Sequence, residues 1–182
     1  ITSVNGTALG DGTQVVAPLA IDTVVPVVTN VTSPIADGTY TTTTTIPIAV
    51  TFSKPVVYSG PKETPSTLRV TSTLAPTASY PTYSSGSGTD TLTYNYVPTL
   101  GQASPDLNYN ATGSLIAGTN GYIRDLAGNG ATLTLPATTA ANSLAGNKNI
   151  VIDAVPPSVA LAFAVSGVVP PTDAAAAALT WS

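Results

Sequence analysis

The chain has 182 residues, 43% hydrophobic and only 8% charged, with nine acids against five bases for a formal net charge of −4. Five bases make no stripe for a phosphate backbone, and the absence of both Cys and His excludes disulfides, thiolate catalysis, Cys-ligated zinc, the usual serine and cysteine triads and 2-His metal sites. No run approaches the roughly 18 uninterrupted apolar residues of a membrane span, so the sequence predicts a soluble chain that neither binds nucleic acid nor inserts into a membrane.

The length suits one sandwich-sized domain with flanks or two small domains. Thr, Ser, Asn and Gly must cover a surface so short of charge, a common look among extracellular β-proteins. The sequence opens at Ile1 and contains no Met, which predicts a piece of a longer chain.

In chain order, residues 1–20 include TQVVAPLAI, a run able to form a strand. Val25 to Thr32 is the next candidate strand, closed by the turn signal ADGT. Alternation is clearest in TTIPIAVTF, where Ile46, Ile48, Val50 and Phe52 share one face and Thr45, Pro47, Ala49 and Thr51 the other. Pro47 cannot donate to a ladder, which predicts an edge strand or a bulge there. Val56 to Ser59 and Leu68 to Leu74 follow, then the turn SSGSG. Leu92, Tyr94 and Tyr96 alternate with Thr91, Thr93 and Asn95. Tyr122 to Arg124 leads into the turn LAGNG, after which Leu133 and Leu135 alternate with Thr132 and Thr134, and Ile150 and Ile152 flank Val151. About seven to nine strands separated by turns predict a two-sheet sandwich. SVALAFAV is a further strand-capable run near the C-terminus. Asp173 with the alanines after it has an N-cap but fewer than two turns, so it reads as a loop or single turn. Helix should be nearly absent.

IDTVVPVV begins at Ile21 and IDAVPPSV at Ile152, an offset of 131 residues (152 − 21). The recurrence predicts one repeat over residues 21–153, with residues 1–20 as the end of a preceding repeat or an arm. Residues 154–182 then start a following β-domain or an oligomerising arm. Flanks of this kind would join the sandwich of their own chain or pair with neighbouring chains into a homo-oligomeric, trimeric fibre.

The ordered series IDTVVPVVTNVTSP, ADGTY, IAVTFSKPV, YSSGSGTDTLTYNY, SPDLNY, GYIRDLAGNGATLTLP and NSLAGNKNIVID resembles the bacterial Ig-like repeats of large surface and adhesin proteins. The resemblance implies an all-β, Ig-like antiparallel β-sandwich with extra strands from the flanks, outside the cell or on its surface, strung as a stalk or presented in an adhesive fibre. It also implies loop acids or amides at Asp37, Asp106, Asp125 and Asn129. This copy departs from the family at Asn108, where an acid often stands, and at Thr41 to Thr45, where a charged turn residue is usual.

Those four residues are the candidate calcium ligands, although calcium asks for six to eight oxygens. The simpler reading of RDLAGNG is a hairpin turn, in which Asp125 accepts from loop amides and Gly128 or Asn129 turns left-handed. Catalysis has little to work with. Glu63 is the only glutamate and stands in a loop, so the chain reads as non-enzymatic with no required cofactor. Of eight tyrosines, Tyr94 and Tyr96 read as core and Tyr83 as structural. Tyr58 and Tyr80 read as exposed, and with Arg69 and Asn110 they are the candidate contacts for a glycan on a host or prey surface. Three sequons, at Asn5, Asn30 and Asn110, would matter only in a eukaryotic secretory host, and the resemblance implies a bacterial one.

Overall fold

The computed structural model describes residues 21–62, 65–70 and 80–158. Both outer flanks, Glu63, the Asp173 segment and the end of the expected Leu68–Leu74 strand lie outside the described residues. The regular structure of the described residues is almost wholly β: β1 (Val28–Thr32), β2 (Gly38–Tyr40), β3 (Ile46–Ser59), β4 (Thr67–Leu68), β5 (Thr82–Ser85), β6 (Thr89–Tyr96), β7 (Ala103–Ser104), β8 (Leu115–Ile116), β9 (Tyr122–Arg124) and β10 (Ile150–Asp153), with one four-residue helix, α1 (Leu144–Asn147). No described helix is long and apolar enough to cross a membrane.

The larger sheet runs β1-β3-β6-β5-β4-β8, with β9 on the far half of β3; the smaller runs β2-β10-β7. Pairing is antiparallel throughout the larger sheet, whereas β10 is parallel to β2 and antiparallel to β7. Period-2 alternation sets the faces. Ile46, Ile48, Val50 and Phe52 on β3, with Leu92, Tyr94 and Tyr96 on β6, turn inward to meet Ile150 and Ile152 of the smaller sheet in one apolar cluster. The outward residues Thr51 and Thr91 hydrogen-bond each other across the strands at 3.2 Å.

Two expectations need correction. Val56 to Ser59 is not a separate strand: β3 runs on for 14 residues, with its register against β6 shifting between Thr51 and Val56. Pro47 does not mark an edge, because β3 lies between β1 and β6. The Pro47 carbonyl accepts from Ser33 Oγ at 2.6 Å, and the last β1 partner is Thr32 opposite Ala49. N and O of one strand residue point the same way, so the missing N–H faces the gap just past the end of β1 and no ladder bond is lost.

Helix α1 is capped by Ser143, whose Oγ accepts from Gly146 N at 3.0 Å. A Cβ on Gly146 would stand 2.2 Å from the Ala140 carbonyl oxygen, so only glycine fits there. Asn147 Nδ2 ties the helix to β1, donating to Asn30 Oδ1 at 2.8 Å and Val31 O at 2.9 Å.

Ile48 is fully buried in the strand that both neighbours share. Ile48→Ala should cost about 2–5 kcal/mol of unfolding free energy. Urea denaturation should read this as a lower midpoint at unchanged m-value.

Candidate functional site

The turn after β9 is built around one carboxylate. The Asp125 backbone N–H donates to Asn129 O at 3.0 Å and its carbonyl accepts from Gly128 N at 3.1 Å. Asp125 Oδ1 accepts from Asn129 N at 2.8 Å, and Oδ2 from Asn129 Nδ2 at 2.9 Å. Gly128 takes the left-handed conformation, at φ 93°, which costs a glycine little. Arg124 pairs with Gly130 and Ile123 O accepts from Ala131 N at 2.9 Å, so the chain returns beside β9.

Asp125 is 4% exposed, and a carboxylate so placed needs a counter-charge. Lys54 supplies it. Its position follows from the β3 irregularity, where Ser53 N donates to Val27 O at 2.8 Å and Ser53 Oγ accepts from Val27 N at 3.1 Å. Lys54 Nζ then donates to Asp125 Oδ2 at 2.8 Å, to Val24 O at 2.9 Å and to Asp22 Oδ2, which uses all three ammonium hydrogens. Asn129 Nδ2 closes the ring by donating to Asp22 O at 2.9 Å. The leading segment at Asp22–Val24, the strand β3 and the turn after β9 thus meet on one lysine.

The electrostatics follow the geometry. The Lys54 ammonium, then the Asn129 amide, hold the Asp125 carboxyl well below the usual carboxylate range. Lys54 lowers Asp22 in the same way, with help from the Val24 N–H, and the two acids together raise Lys54.

Of the four candidate calcium ligands, Asp125 and Asn129 come together here, with the ammonium already among the oxygens and the Asn129 amide presenting N–H groups. Asp37 and Asp106 sit apart from them, at the start of β10. Asp37 accepts from Lys148 Nζ at 2.8 Å and Asn149 N at 3.2 Å, and its carboxyl is lowered by Lys148 first. Partial burial raises Asp106, which feels Asp37 but accepts from Ile150 N. Asn108 spans Tyr109 N, which donates to its Oδ1 at 2.9 Å, and Thr138 O, which accepts from its Nδ2 at 2.9 Å. Among the described residues no three His, Cys, Asp or Glu side chains gather as a metal set.

The tyrosines divide differently from expectation. Tyr58 is half-buried rather than exposed: its ring lies 4.4 Å from that of Tyr83, and its hydroxyl accepts from Ser66 N at 2.8 Å. Tyr83 meets Tyr94 edge-on at 6.2 Å, and Tyr94 shares a hydrogen bond with the buried Ser66 Oγ at 2.9 Å. This ladder is aromatic packing that fills one end of the core. Tyr80, Arg69 and Asn110 are exposed and lie on neighbouring stretches of backbone. Arg69 O accepts from Asn110 N at 3.1 Å, and the pairing Thr67↔Thr82, continued with Leu68 N donating to Pro81 O at 2.9 Å, sets Tyr80 opposite Arg69. A recess of about 390 Å³ lies nearby, lined by Tyr58, Lys62, Thr82 and Tyr83 among others.

Sequence reasoning missed Lys54 and Asp22. The available signals were that Lys54 is one of only five bases and that Asp22 recurs as Asp153.

The pH dependence follows by linkage. Asp125 and Asp22 have folded pKa values below the ordinary 3.8, so their contribution is present above about pH 4 and lost as pH falls through the folded values. Lys54 lies above its ordinary 10.5, so its contribution is present below that and lost at higher pH. Burial pushes Tyr96 and Tyr109 up to about 12, which adds to the alkaline loss. Asp106, raised by burial, works the other way and loses its contribution as pH rises through its folded value, so the melting temperature should be flat from above that value to roughly pH 10 and fall at the acid and alkaline extremes. Lys54→Met should melt lower at pH 7 and lose less than the unaltered chain on acidification, as circular-dichroism melts across the pH range would show.

Comparison with family models, with curated proteins and with solved structures finds no match, so function is argued from this geometry.

Proposed function

We propose that residues 21–153 are an Ig-like β-sandwich repeat serving as a non-enzymatic structural or adhesive module of a bacterial surface or secreted fibre protein, outside the cell, where it spaces or presents a binding surface. The observation that carries this reading is the lysine clamp. Its charged groups are spent on one another, and what they accomplish is to fasten the incoming chain to a central strand. A segment held in that way passes tension into the β3 pairing rather than peeling away. Lys54 plays the part a calcium ion plays in acid-lined loops, so the fastening needs no metal.

A single-molecule pulling experiment through the two ends of the chain tests this. The body should unfold in one cooperative event whose force is the same with and without excess chelator and is reduced in Lys54→Met. Equal forces in the two chains, or a force that drops when chelator is added, contradict the proposal.

A second reading makes the module itself a recognition surface for a glycan. It is favoured by the exposure of Tyr80, Arg69 and Asn110 on neighbouring stretches of backbone. An aromatic face and two hydrogen-bonding side chains suit a sugar ring. On a glycan array, binding by the unaltered chain that Tyr80→Ala reduces at least tenfold would support it, and no binding by the folded chain would end it.

A further inference from the structure

The two ends of the described body carry the same Asp turn, set at the end of β10 in one case and ahead of β1 in the other. Asp22 and Asp153 occupy the same place in IDTVVPVV and IDAVPPSV, 131 residues apart (153 − 22), where Ile, Asp, Val, Pro and Val recur in register. In the first copy Val24 N donates to Asp22 Oδ1 at 3.0 Å; in the second Val155 N donates to Asp153 Oδ1 at 3.4 Å. Each is an Asp side chain capping the amide two residues on. They differ in what the other oxygen does. Asp22 Oδ2 is held by Lys54, whereas Asp153 is exposed and none of the ion pairs among the described residues uses it.

We propose that Asp153 is a docking residue for a second copy of this domain. It takes, in the copy that follows, the place that Asp22 takes here, with its free carboxylate oxygen received by that copy's Lys54. The inference rests on the reading of the chain as a repeat in series and adds the joint between repeats.

Two further observations fit a docked joint. Asp153 still pairs with Ala103 of β7. The next residue, Ala154, is buried, donates to Gln102 O at 2.9 Å and accepts from Gly101 N at 2.9 Å. The residue clamped by the second copy therefore belongs to the sheet of the first, and no slack separates the two bodies. Large apolar side chains also stand exposed at both faces of the joint. Leu100, 73% exposed, adjoins the Gly101 that bonds Ala154, and Leu126, 83% exposed, adjoins the clamped Asp125. Leu100 of one copy and Leu126 of the next are each one residue along the chain from a residue of the joint, and taking both out of water on docking is favourable.

The test is a tandem chain, residues 1–155 followed directly by residues 25–182, which keeps Ala154 and Val155 of the first body and puts Asp153 in the Asp22 position of the second copy. Small-angle scattering of the unaltered tandem should fit one fixed arrangement of two bodies. Asp153→Asn keeps the local turn and removes the charge. In the single chain it should leave the melting temperature unchanged. In the tandem it should broaden the inter-body distances and lower the second transition by roughly 1–4 °C, matching Asp22→Asn measured in the single chain. Leu100→Ser should broaden the tandem likewise without affecting the single chain. Scattering typical of two freely jointed bodies, or an Asp153→Asn variant that behaves alike in single and tandem chains, overturns the docking. Either result leaves the module reading to be decided by the pulling experiment.

Discussion

A carboxylate taken out of water needs a counter-charge and a full set of donors, or it takes up a proton instead. Asp125 has both: two donors from Asn129 and one from Lys54. Satisfying that single group fixes three pieces of chain distant in sequence, since Lys54 is 71 residues from Asp125 and Asn129 is 107 from Asp22. The turn after β9, the bend in β3 and the path of the leading segment all converge on the one ammonium that the bend presents.

The strand that carries Lys54 is able to serve two purposes because its alternation breaks. Before the break, β3 is ordinary: Ile46, Ile48, Val50 and Phe52 face the core and Pro47, Ala49 and Thr51 face out. At FSKP the register slips, Ser53 bonds back to Val27, and Lys54 is aimed at Asp125 instead of continuing the pleat. Beyond it Val56 returns to the core, and the strand's far half pairs with β9 rather than β1. Irregularities in strands commonly re-aim a side chain in this way. Here the result is that the region bearing the charges is welded to the middle of the sheet, not hung from a loop.

Local pattern made much of the β architecture legible. Ile46 through Phe52 and Leu92 through Tyr96 alternate with period 2, and burial follows that period residue by residue. The Asx chemistry of Asp125 and the left-handed glycine after it were legible for the same reason, because the partners lie within four residues. Pro47 misled because its cost depends on which side of the strand its nitrogen faces, a property of β1's length rather than of the proline. Tyr58 misled because its burial depends on Tyr83 of β5 and on Ser66 just ahead of β4. Lys54 and Asp22 were invisible as a pair since nothing local marks an ion pair that spans 32 residues. Asp37, Asp106, Asp125 and Asn129 stand out by the resemblance and by residue type, neither of which tells that Lys54 and Lys148 lie beside Asp125 and Asp37.

The central claim is that Lys54 and Asp125 act as one unit, the ammonium being the cation that makes the buried carboxylate tolerable. A double-mutant cycle of Lys54→Met and Asp125→Asn, followed by urea denaturation at pH 7, measures this directly. The account predicts strong coupling: Asp125→Asn destabilises the unaltered chain markedly but costs far less, or even stabilises, once Lys54 is methionine. Additive effects of the two substitutions would contradict it.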